Sequence, residues 1–458
     1  MNRLQTGIDE LDLILGGGIP TGSLLVIGGP PGTGKTILAN QICFANASQE
    51  RQALYYTTLS EPHAKLIRFL DSFSFYDENA LGRSLEIIHL PIPEQSDGLA
   101  SLADEIARKS FEARPALVVI DSSKTLHDFA GSEQVRQIVY DLASKVGHTD
   151  AVLLLVGEYT PEDAERLPEF AVADGIVYLG NELHDAFDRR TLRVRKMRGS
   201  AYLGGQHSIR IGPNGVEVFA RLEALAPQEK VAPRGRVSSG VPALDEMLGG
   251  GLPGRSATLI AGPSGSGKTL LSLHFINEGI RKGERCHYVS FREDPEQLLR
   301  KAGSFGFDLD EAFHEGRLTI AHPRPVELVP DEMGFALRGA LAGARKGRVV
   351  IDSLGEIEQA IVGPRRFQDF LWSLVEYIAC TGATSVLTTE TPAFFGGALE
   401  LVRGLTFATE NLIMLQYREQ ELRIGRRVSI VMMRDSSHAK DPHEYDIDAE
   451  GFKIQPPT

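Results

Sequence analysis

The feature that most constrains this chain is an internal repeat whose two copies together cover most of its 458 residues. The segment at 7–39 reads GIDELDLILGGGIPTGSLLVIGGPPGTGKTILA, and the segment at 240–272 reads GVPALDEMLGGGLPGRSATLIAGPSGSGKTLLS. The copies are 233 residues apart here, and the offset stays between 231 and 236 further along the chain. Solenoid repeats are only about 20–50 residues long, so a repeat of this length indicates a duplicated domain.

The stretch between the copies is typical of a linker. It reads LEALAPQEKVAPRGRVS, is rich in Pro, Ala and charged residues, and has no regular apolar period. The sequence therefore predicts a first domain at 1–222, a linker at 223–237 and a second domain at 238–458.

Within each copy, apolar runs alternate with segments of helical period. In the first copy these runs lie at 24–28, 53–59, 86–90, 116–120 and 151–157. Runs that are apolar throughout and are separated by helices indicate strands of a parallel sheet covered on both faces. Short strands with turn signals follow in both copies. Each copy is therefore predicted to be an α/β domain with a mainly parallel sheet, flanking helices and an antiparallel C-terminal extension.

Composition and charge argue against several classes of protein. The net charge of −13 disfavours a protein that coats nucleic acid, because such proteins need a basic surface. Three cysteines without metal-type spacing favour a reducing compartment with no disulfide framework. No apolar run approaches the roughly 18 residues that span a bilayer, and the N-terminus has no signal-peptide pattern. We therefore expect a cytoplasmic protein without a membrane or nucleic-acid partner.

Both copies contain a phosphate-binding loop that follows a strand and opens a helix. The segments GPPGTGKT and GPSGSGKT fit the pattern G-x-x-x-x-G-K-[ST]. The glycines let the backbone wrap a phosphate, the helix N-terminus favours its negative charge, and the lysine neutralises the β and γ phosphates of ATP. The predicted nucleotide-binding residues are Gly29, Gly32, Thr33, Gly34, Lys35 and Thr36 in the first copy, and Gly262, Gly265, Ser266, Gly267, Lys268 and Thr269 in the second.

An acid at the end of a neighbouring strand completes the expected Mg²⁺ site of each copy. The run ALVVID ends at Asp121, and the run RVVID ends at Asp352. Asp121 follows four apolar residues and Asp352 follows three, and each lies at a similar distance after its phosphate loop. Because this arrangement recurs, we predict that Thr36 with Asp121, and Thr269 with Asp352, bind Mg²⁺ beside the phosphates.

A carboxylate after the second strand of each copy is a candidate for orienting the water that attacks ATP. Glu61 lies in TTLSEP, and Glu293 lies in VSFREDP. Hydrolysis of a phosphate needs such a group near the terminal phosphate. The alternative is a structural acid at a helix N-terminus, because a proline that opens a helix follows in both copies.

These combined motifs resemble the KaiC family, the RecA-like ATPases of the circadian clock, over nearly the whole chain. The match rests on two LDxxLGGGxP…GPxGxGKT modules, each ending in a strand of the KMR type. The resemblance implies tandem RecA-like P-loop domains, a homohexamer of two stacked rings, and ATP bound between neighbouring subunits. It also implies ATP hydrolysis in the first ring, autokinase and autophosphatase chemistry in the second, and a KaiB-like or other signalling partner.

The resemblance also assigns cations that act across the subunit interface. Lys196 and Arg198 match the KMR residues of the family in the first copy, and Arg434 matches the arginine in the second. Such cations stabilise charge on the γ-phosphate that the neighbouring subunit holds. Spacing alone leaves the alternative that they are solvated charges on an edge strand.

Four departures from the family pattern are visible, and two of them concern chemistry. The adjacent glutamates of the family read Ser60–Glu61 and Arg292–Glu293 here. We hypothesise that Arg292 pairs with Glu293 and reduces its ability to polarise water. The lysine of the second KMR strand is replaced by Met432. The second copy is therefore expected to bind ATP with retuned or weakened chemistry.

The other two departures concern regulation. At the positions of the family's phosphoacceptor pair the chain has Thr406 and Phe407. Thr406 is thus the one candidate acceptor at that pair, or else an ordinary strand or turn threonine. The long C-terminal tail that engages KaiA in the family has no counterpart after GFKIQPPT, which argues against a KaiA-type partner.

Three alternative functions stay open. The first is a serine/threonine protein kinase as the main activity, which a Thr406-dependent phosphate adduct would reveal. The second is a DNA motor of the RecA or DnaB kind, which predicts that single-stranded DNA stimulates ATP turnover. The third is a nucleotide-gated scaffold, which predicts that Glu61→Gln and Glu293→Gln change neither turnover nor assembly.

Overall fold

The computed structural model divides into two compact units, residues 1–225 and 226–458. Each unit has its own central sheet and its own apolar core. The described residues are 2–58, 63–90, 97–184, 187–225, 235–323, 329–341, 347–361, 363–391, 405–420, 423–434 and 437–455.

The first unit alternates strands and helices and then ends in a series of strands. Its strands are β1 (Arg3–Leu4), β2 (Ile19–Pro20), β3 (Leu24–Gly29), β4 (Ala53–Thr57), β5 (Leu85–His89), β6 (Leu117–Asp121), β7 (Val152–Glu158), β8 (Gly175–His184), β9 (Phe187–Met197), β10 (His207–Gly212) and β11 (Gly215–Phe219). Its α-helices are α1 (Asp9–Ile14), α2 (Lys35–Asn46), α3 (His63–Leu70), α4 (Asp97–Ala113), α5 (Ser132–Gly147), α6 (Asp163–Arg166) and α7 (Pro168–Val172).

The second unit repeats this order of elements. Its strands are β12 (Arg236–Val237), β13 (Leu252–Pro253), β14 (Ala257–Gly262), β15 (Cys286–Ser290), β16 (Leu318–Ala321), β17 (Arg348–Asp352), β18 (Thr384–Glu390), β19 (Asn411–Gln420), β20 (Arg423–Met433), β21 (His443–Asp448) and β22 (Gly451–Ile454). Its α-helices are α8 (Pro242–Met247), α9 (Lys268–Arg281), α10 (Pro295–Ser304), α11 (Asp310–His314), α12 (Pro330–Leu341), α13 (Leu354–Ala360) and α14 (Pro364–Cys380).

The main sheet has the same strand order in both units. It runs β11-β10-β9-β8-β3-β7-β6-β4-β5 in the first unit and β22-β21-β20-β19-β14-β18-β17-β15-β16 in the second. The strands from β8 to β5 and from β19 to β16 pair in parallel. The last three strands of each unit add in antiparallel fashion. The predicted α/β class with an antiparallel C-terminal extension is thereby confirmed.

Each sheet is covered on both faces, which explains its apolar strands. Alternate residues of a strand point to opposite faces. Leu24 and Val26 of β3 belong to one buried cluster, and Leu25 and Ile27 belong to another. Helix α5 contributes to the first cluster and helix α2 to the second. Because both faces are buried, β3 has no polar positions to alternate with apolar ones.

Parallel pairing brings the ends of several strands to one edge of each sheet. In the first unit β3 ends at the phosphate loop, β6 ends at Asp121 and β7 ends at Glu158. The register places Gly29 opposite Glu158. In the second unit it places Gly262 opposite Glu390. The phosphate loops, the aspartates and these glutamates are thus neighbours.

The sequence also led us to expect no membrane-spanning segment and no disulfide framework. Within the described residues, no helix is both long enough and apolar enough to cross a membrane. All three cysteines are free thiols, and Cys43 and Cys286 are buried. Burial raises the pKa of Cys286 to about 12, so its thiol stays protonated at neutral pH.

Candidate nucleotide sites

Both phosphate loops have the backbone geometry that their glycines predict. Gly34 (φ +94°) and Gly267 (φ +95°) are in the left-handed region immediately before α2 and α9. A Cβ at Gly34 would lie 2.7 Å from Cδ1 of Ile211, and a Cβ at Gly267 would lie 2.7 Å from Cδ1 of Ile447. Both the dihedral angle and the available space therefore require glycine.

The loop lysines are bonded to the loop backbone. Nζ of Lys35 donates to the carbonyl oxygen of Pro30 at 2.7 Å. Nζ of Lys268 donates to the carbonyl oxygens of Gly262 and Pro263, both at 2.9 Å. Burial lowers the pKa of both lysines, and nearby carboxylates oppose that shift. Both ammonium groups are held inside the loop, where phosphate oxygens are stronger acceptors than carbonyls.

The hydroxyl of each loop threonine bonds the aspartate of the neighbouring strand. Oγ1 of Thr36 donates to Oδ2 of Asp121 at 2.8 Å. Oγ1 of Thr269 donates to Oδ2 of Asp352 at 2.7 Å. The structure thus brings together the two residues that the sequence paired in each copy.

A tyrosine that the sequence analysis missed supports each aspartate. The hydroxyl of Tyr55 donates to Asp121 at 2.6 Å, and that of Tyr288 donates to Asp352 at 2.9 Å. In the second unit Thr388 also donates to Asp352, at 2.5 Å. Burial, and then the adjacent aspartate, raises the pKa of both tyrosines well above the ordinary value. Each tyrosine therefore remains a donor that orients its aspartate.

The oxygen atoms at each site fit a Mg²⁺ ion that arrives with ATP. Magnesium prefers hard oxygen ligands and usually retains water and substrate phosphates as ligands. The described residues contain no cluster of three or more His, Cys, Asp or Glu that would hold a metal unaided. Each site instead offers one hydroxyl and one carboxylate. Thr36 with Asp121, and Thr269 with Asp352, are therefore the residues that would hold the ion.

The cavities beside the two loops differ in size and lining. The first has a volume of about 750 Å³ and the second about 340 Å³. Leu66, Phe69 and Phe73 give the first cavity an apolar wall. Besides the loop lysine, the second is lined by two cations, Arg292 and Lys301, and the first by one, Lys124. The second site is thus smaller and more cationic beside its loop.

A glutamate beside each loop was also missed by the sequence analysis. Glu158 ends β7 and Glu390 ends β18, and each lines its cavity. Each opposes the effect of burial on the pKa of the loop lysine. The sequence does contain a signal for them, because a glutamate occurs in both copies with an offset of 232 residues.

The strand register separates the two candidate catalytic glutamates. The tyrosines that bond the aspartates lie 233 residues apart, and so do the prolines that follow β4 and β15. In this register Ser60 corresponds to Glu293, and Glu61 corresponds to Asp294. The two glutamates therefore occupy positions that differ by one residue.

The position that corresponds to Glu61 has a structural role in the second unit. Asp294 is the N-cap of α10 and accepts a hydrogen bond from the N–H of Gln297 at 2.8 Å. The side chain of Gln297 accepts from the N–H of Asp294 at 3.3 Å, which completes a capping box. Glu61 itself lies outside the described residues, so its catalytic role stays a prediction, and the register favours the capping alternative.

Glu293 lies in the second cavity and pairs with Lys301 of α10. Its Oε1 accepts from Nζ of Lys301. Its Oε2 is buried and has no hydrogen-bond partner among the described residues. An acceptor oxygen without a partner is what a water-orienting or proton-accepting group needs, so Glu293 keeps its candidate role.

The hypothesis that Arg292 pairs with Glu293 is wrong. Nε of Arg292 donates to Oε1 of Glu356 at 2.7 Å. Its Nη1 and Nη2 donate to the two carboxylate oxygens of Glu390, at 3.2 and 2.9 Å. These carboxylates are 64 and 98 residues away in the sequence, yet the fold places them at the guanidinium. Glu293 pairs with Lys301 instead.

The cations of the first KMR strand lie far from their own phosphate loop. Arg198 pairs with Asp174 at 3.3 Å, and Asp174 accepts from the N–H of Leu24 at the start of β3. A strand rises about 3.3 Å per residue, so roughly 16 Å of β3 separates this point from Gly29. Lys196 is in β9, whose last residue precedes Arg198, and it pairs with Ile176 at the beginning of β8. The side chain of Arg198 is 63% exposed, which leaves it available to a neighbouring chain.

The second unit repeats this arrangement with one cation fewer. The N–H of Arg434 donates to the carbonyl of Glu410 at 3.1 Å. Glu410 accepts from the N–H of Ala257, at the start of β14, at 2.8 Å. Met432 pairs with β19 where Lys196 pairs with β8. Arg434 is thus also remote from its own loop.

Thr406 lies in the turn that precedes β19, on this same remote edge of the sheet. It is partly exposed, four residues before Glu410. The ring of the next residue, Phe407, stacks on Trp372 with centroids 6.3 Å apart. Thr409 is buried, and its hydroxyl has no hydrogen-bond partner among the described residues. Of these two threonines, Thr406 is the accessible one.

Comparison with known proteins agrees with the two-unit fold. A family model described as the KaiC ATPase matches residues 4–223 and 237–458. The circadian clock oscillator protein KaiC of Picosynechococcus sp. is 28% identical over 468 residues, which cover 99% of this chain and 90% of that protein. The circadian clock protein KaiC3 of Synechocystis sp. is 27% identical over 470 residues, which cover 100% and 92%. The KaiC of Parathermosynechococcus lividus is 29% identical over 468 residues, which cover 99% and 85%. The chain belongs to the KaiC family of ATPases.

Proposed function

We propose that six copies of this chain form a double ring in which the first units hydrolyse ATP and the second units bind ATP and phosphorylate Thr406. The observation that carries this proposal is the position of the KMR cations. Lys196 and Arg198 lie at the sheet edge remote from their own loop, so they can act only on a phosphate held elsewhere, as by the first unit of a neighbouring chain. A closed homohexameric ring gives every chain such a neighbour.

In the first unit, the residues divide the work of hydrolysis between two chains. The loop backbone and Lys35 bind the phosphates of ATP, and Thr36 and Asp121 hold Mg²⁺. Lys196 and Arg198 of the adjoining chain stabilise the charge that develops on the γ-phosphate. Bound Mg²⁺ neutralises phosphate charge during the transfer.

Two carboxylates of the first unit are candidates for orienting water. Glu61 is suggested by the sequence, and Glu158 is suggested by its place beside the loop lysine. Steady-state phosphate release by Glu61→Gln and Glu158→Gln separates them. The variant that lacks the water-orienting carboxylate is expected to lose about 10²-fold in turnover. Unchanged turnover in both variants would leave the proposed hydrolysis without a water-orienting carboxylate and would contradict it.

In the second unit, we propose transfer to a neighbouring chain. Oγ1 of Thr406 attacks the γ-phosphorus of ATP held by the adjoining second unit, and the bond from that phosphorus to the bridging oxygen of ADP breaks. Glu293 of the chain that holds the ATP accepts the proton of the threonine hydroxyl. The products are ADP and phosphothreonine, and the proposal includes the reverse, dephosphorylating reaction.

Intact-mass measurement after incubation with Mg-ATP tests the kinase reaction. A species heavier by about 80 Da is expected, absent in Thr406→Ala and in Glu293→Gln. Thr409→Ala is the matched control, because that threonine is buried in the same segment. An adduct that survives in Thr406→Ala would place the acceptor elsewhere.

Native mass measurement tests the ring. A hexamer is expected with ATP, and a chain that stays monomeric with ATP would contradict the division of each site between two chains. The proposed output is a nucleotide-dependent change in the rings that a KaiB-like or other signalling protein recognises. Binding of such a partner that depends on ATP or ADP is the corresponding observation.

A further inference from the structure

The second site contains a cation, Arg292, at a position of the repeat where the first copy has a leucine. Arg292 follows β15 and lines the same cavity as Lys268, Thr269 and Asp352. Its side chain is 60% exposed, so its guanidinium is open to a ligand in that cavity. Arg292 is therefore close to the phosphate-binding groups without belonging to the loop.

Two carboxylates hold this guanidinium in different ways. Glu356 accepts one bond from Nε, whereas Glu390 accepts two bonds from Nη1 and Nη2. Ser353 donates to the other oxygen of Glu356 at 2.7 Å and fixes it in place. The bonds to Glu390 and Glu356 raise the pKa of Arg292, and the bond from Arg292 lowers the pKa of Glu390. Nε is thus the anchored part, and the two Nη atoms are paired with the carboxylate nearer the loop.

Glu390 is the residue that brings the Nη atoms to the phosphate loop. It is opposite Gly262 in the sheet, and it acts on the pKa of Lys268. Arg292 acts on the same lysine with the opposite sign. A phosphate offers a guanidinium the same pair of oxygens that a carboxylate does. A γ-phosphate held by Lys268 would therefore compete with Glu390 for the Nη atoms.

Comparison of the copies shows that the arginine and its anchor occur together. In the register of the tyrosines, Arg292 corresponds to Leu59. Glu356, four residues after its aspartate, corresponds to Thr125. At these two positions the first copy thus has neither a cation nor a carboxylate. The other cation that lines its cavity, Lys124, pairs with Asp163. The second copy, which has both, is the one in which Met432 replaces a lysine of the KMR strand.

We propose that Arg292 binds the γ-phosphate of the nucleotide in its own second unit. Its Nη atoms then exchange their bonds to Glu390 for bonds to the phosphate, while Glu356 keeps Nε in place. The inference rests on the proposed binding of ATP by the second unit. ADP has no γ-phosphate, so with ADP the Nη atoms stay on Glu390. Arg292 therefore makes the second site prefer ATP to ADP and supplies from the same chain a charge that the first site receives from its neighbour.

The test measures the affinity of Mg-ADP and of the non-hydrolysable analogue Mg-AMP-PNP for the full-length chain with Lys35→Ala, so that the second site dominates binding. Arg292→Leu introduces the residue of the first copy. This substitution is expected to weaken the binding of AMP-PNP by about tenfold or more, because a charged hydrogen-bond pair is lost. The affinity for ADP is expected to change by less than about twofold. Glu356→Thr is expected to weaken AMP-PNP binding less than Arg292→Leu does. Arg292→Lys is expected to bind AMP-PNP as weakly as Arg292→Leu, because a point charge lacks the two-pronged geometry of a guanidinium.

Arg418→Leu is the matched control, because it removes an exposed arginine that pairs with Glu444 on the antiparallel strands. Its nucleotide affinities are expected to be unchanged. Equal weakening of both nucleotides by Arg292→Leu, or no weakening, would overturn the inference and assign Arg292 to bracing the fold. The proposed function is tested separately by adding Lys268→Ala. If no binding depends on Lys268, the second unit is not a nucleotide site and both proposals fail.

Discussion

The two nucleotide sites share the groups that bind phosphate and differ in the groups that act on it. Both have loop glycines at positive φ, a buried lysine, and a threonine bonded to an aspartate. Around the first loop the structure places an apolar wall, and around the second it places Arg292 and Lys301. The binding groups depend on one continuous segment of backbone, so a duplicated loop keeps them together. The reacting groups are side chains on separate elements, and each can change alone.

The largest test of this comparison removes the loop lysine of each site in turn. Lys35→Ala is expected to lower the ATP turnover of the full chain by about 10³-fold, because Lys35 neutralises charge in the transition state. Lys268→Ala is expected to lower it by less than about twofold. Steady-state phosphate release at saturating ATP measures both. Equal losses would mean that the sites share hydrolysis, contrary to the division proposed above.

A second test concerns the arginines of the two KMR strands. Arg198→Ala is expected to lower turnover by about 10²-fold, because a charge on the γ-phosphate is lost. Arg434→Ala is expected to leave turnover nearly unchanged and to slow the labelling of Thr406. Native mass of both variants with ATP is the control for assembly. A normal turnover rate in a hexameric Arg198→Ala protein would show that Arg198 is a solvated surface charge that does not act on the γ-phosphate.

A smaller difference between the units predicts how each responds to acid. In the first unit the side-chain oxygen of Gln41 accepts from the N–H of Val216 at 2.9 Å. In the second, Nε2 of His274 accepts from the N–H of Phe452 at 3.0 Å. Burial lowers the pKa of His274 from 6.5 to about 4. The same contact between the helix after the loop and the last strand is thus insensitive to pH in one unit and sensitive in the other.

The sign of this effect follows from proton binding. Between pH 6.5 and about pH 4 the unfolded chain binds a proton at His274 that the folded chain does not, so stability falls as the pH falls. From pH 7.5 to pH 5 the second unit is expected to lose about 2 kcal/mol through this group. His274→Gln should remove that loss, and Gln41→His should introduce acid sensitivity in the first unit.

Urea unfolding followed by fluorescence measures this loss in the second unit, because the one tryptophan of the chain, Trp372, lies there. Midpoints at pH 7.5 and pH 5 are compared for the native chain and His274→Gln. His314→Gln, which changes an exposed histidine of the same unit, is the control. An undiminished pH effect in His274→Gln would assign it to other groups.

The sequence was sufficient for whatever depends on local pattern. Apolar runs separated by helices predicted the sheet, and the GKT segments predicted the loops, because each is determined by neighbouring residues. The aspartates at 121 and 352 were predicted because the duplication repeated a weak signal. The fold class and the family could therefore be read before any contact was known.

What the sequence could not provide are contacts between strands. Glu158 and Glu390 matter because the sheet pairs them with a loop glycine, and a glutamate that ends a strand has no distinctive local pattern. The partner of Arg292 was predicted wrongly because adjacency in sequence was taken for adjacency in space. The one-residue difference between Glu61 and Glu293 is present in the sequence as the offset of the following prolines, and the tyrosines that bond the aspartates confirm this register.

The distance from Arg198 to its own phosphate loop has a consequence for counting. If every complete first-unit site needs two chains, the number of such sites equals the number of interfaces and not the number of chains. An open row of n chains then has n − 1 complete sites, whereas a closed ring of n chains has n. Closure of the ring therefore completes the last site, and an assembly that lacks one member leaves one bound nucleotide without its second set of charges.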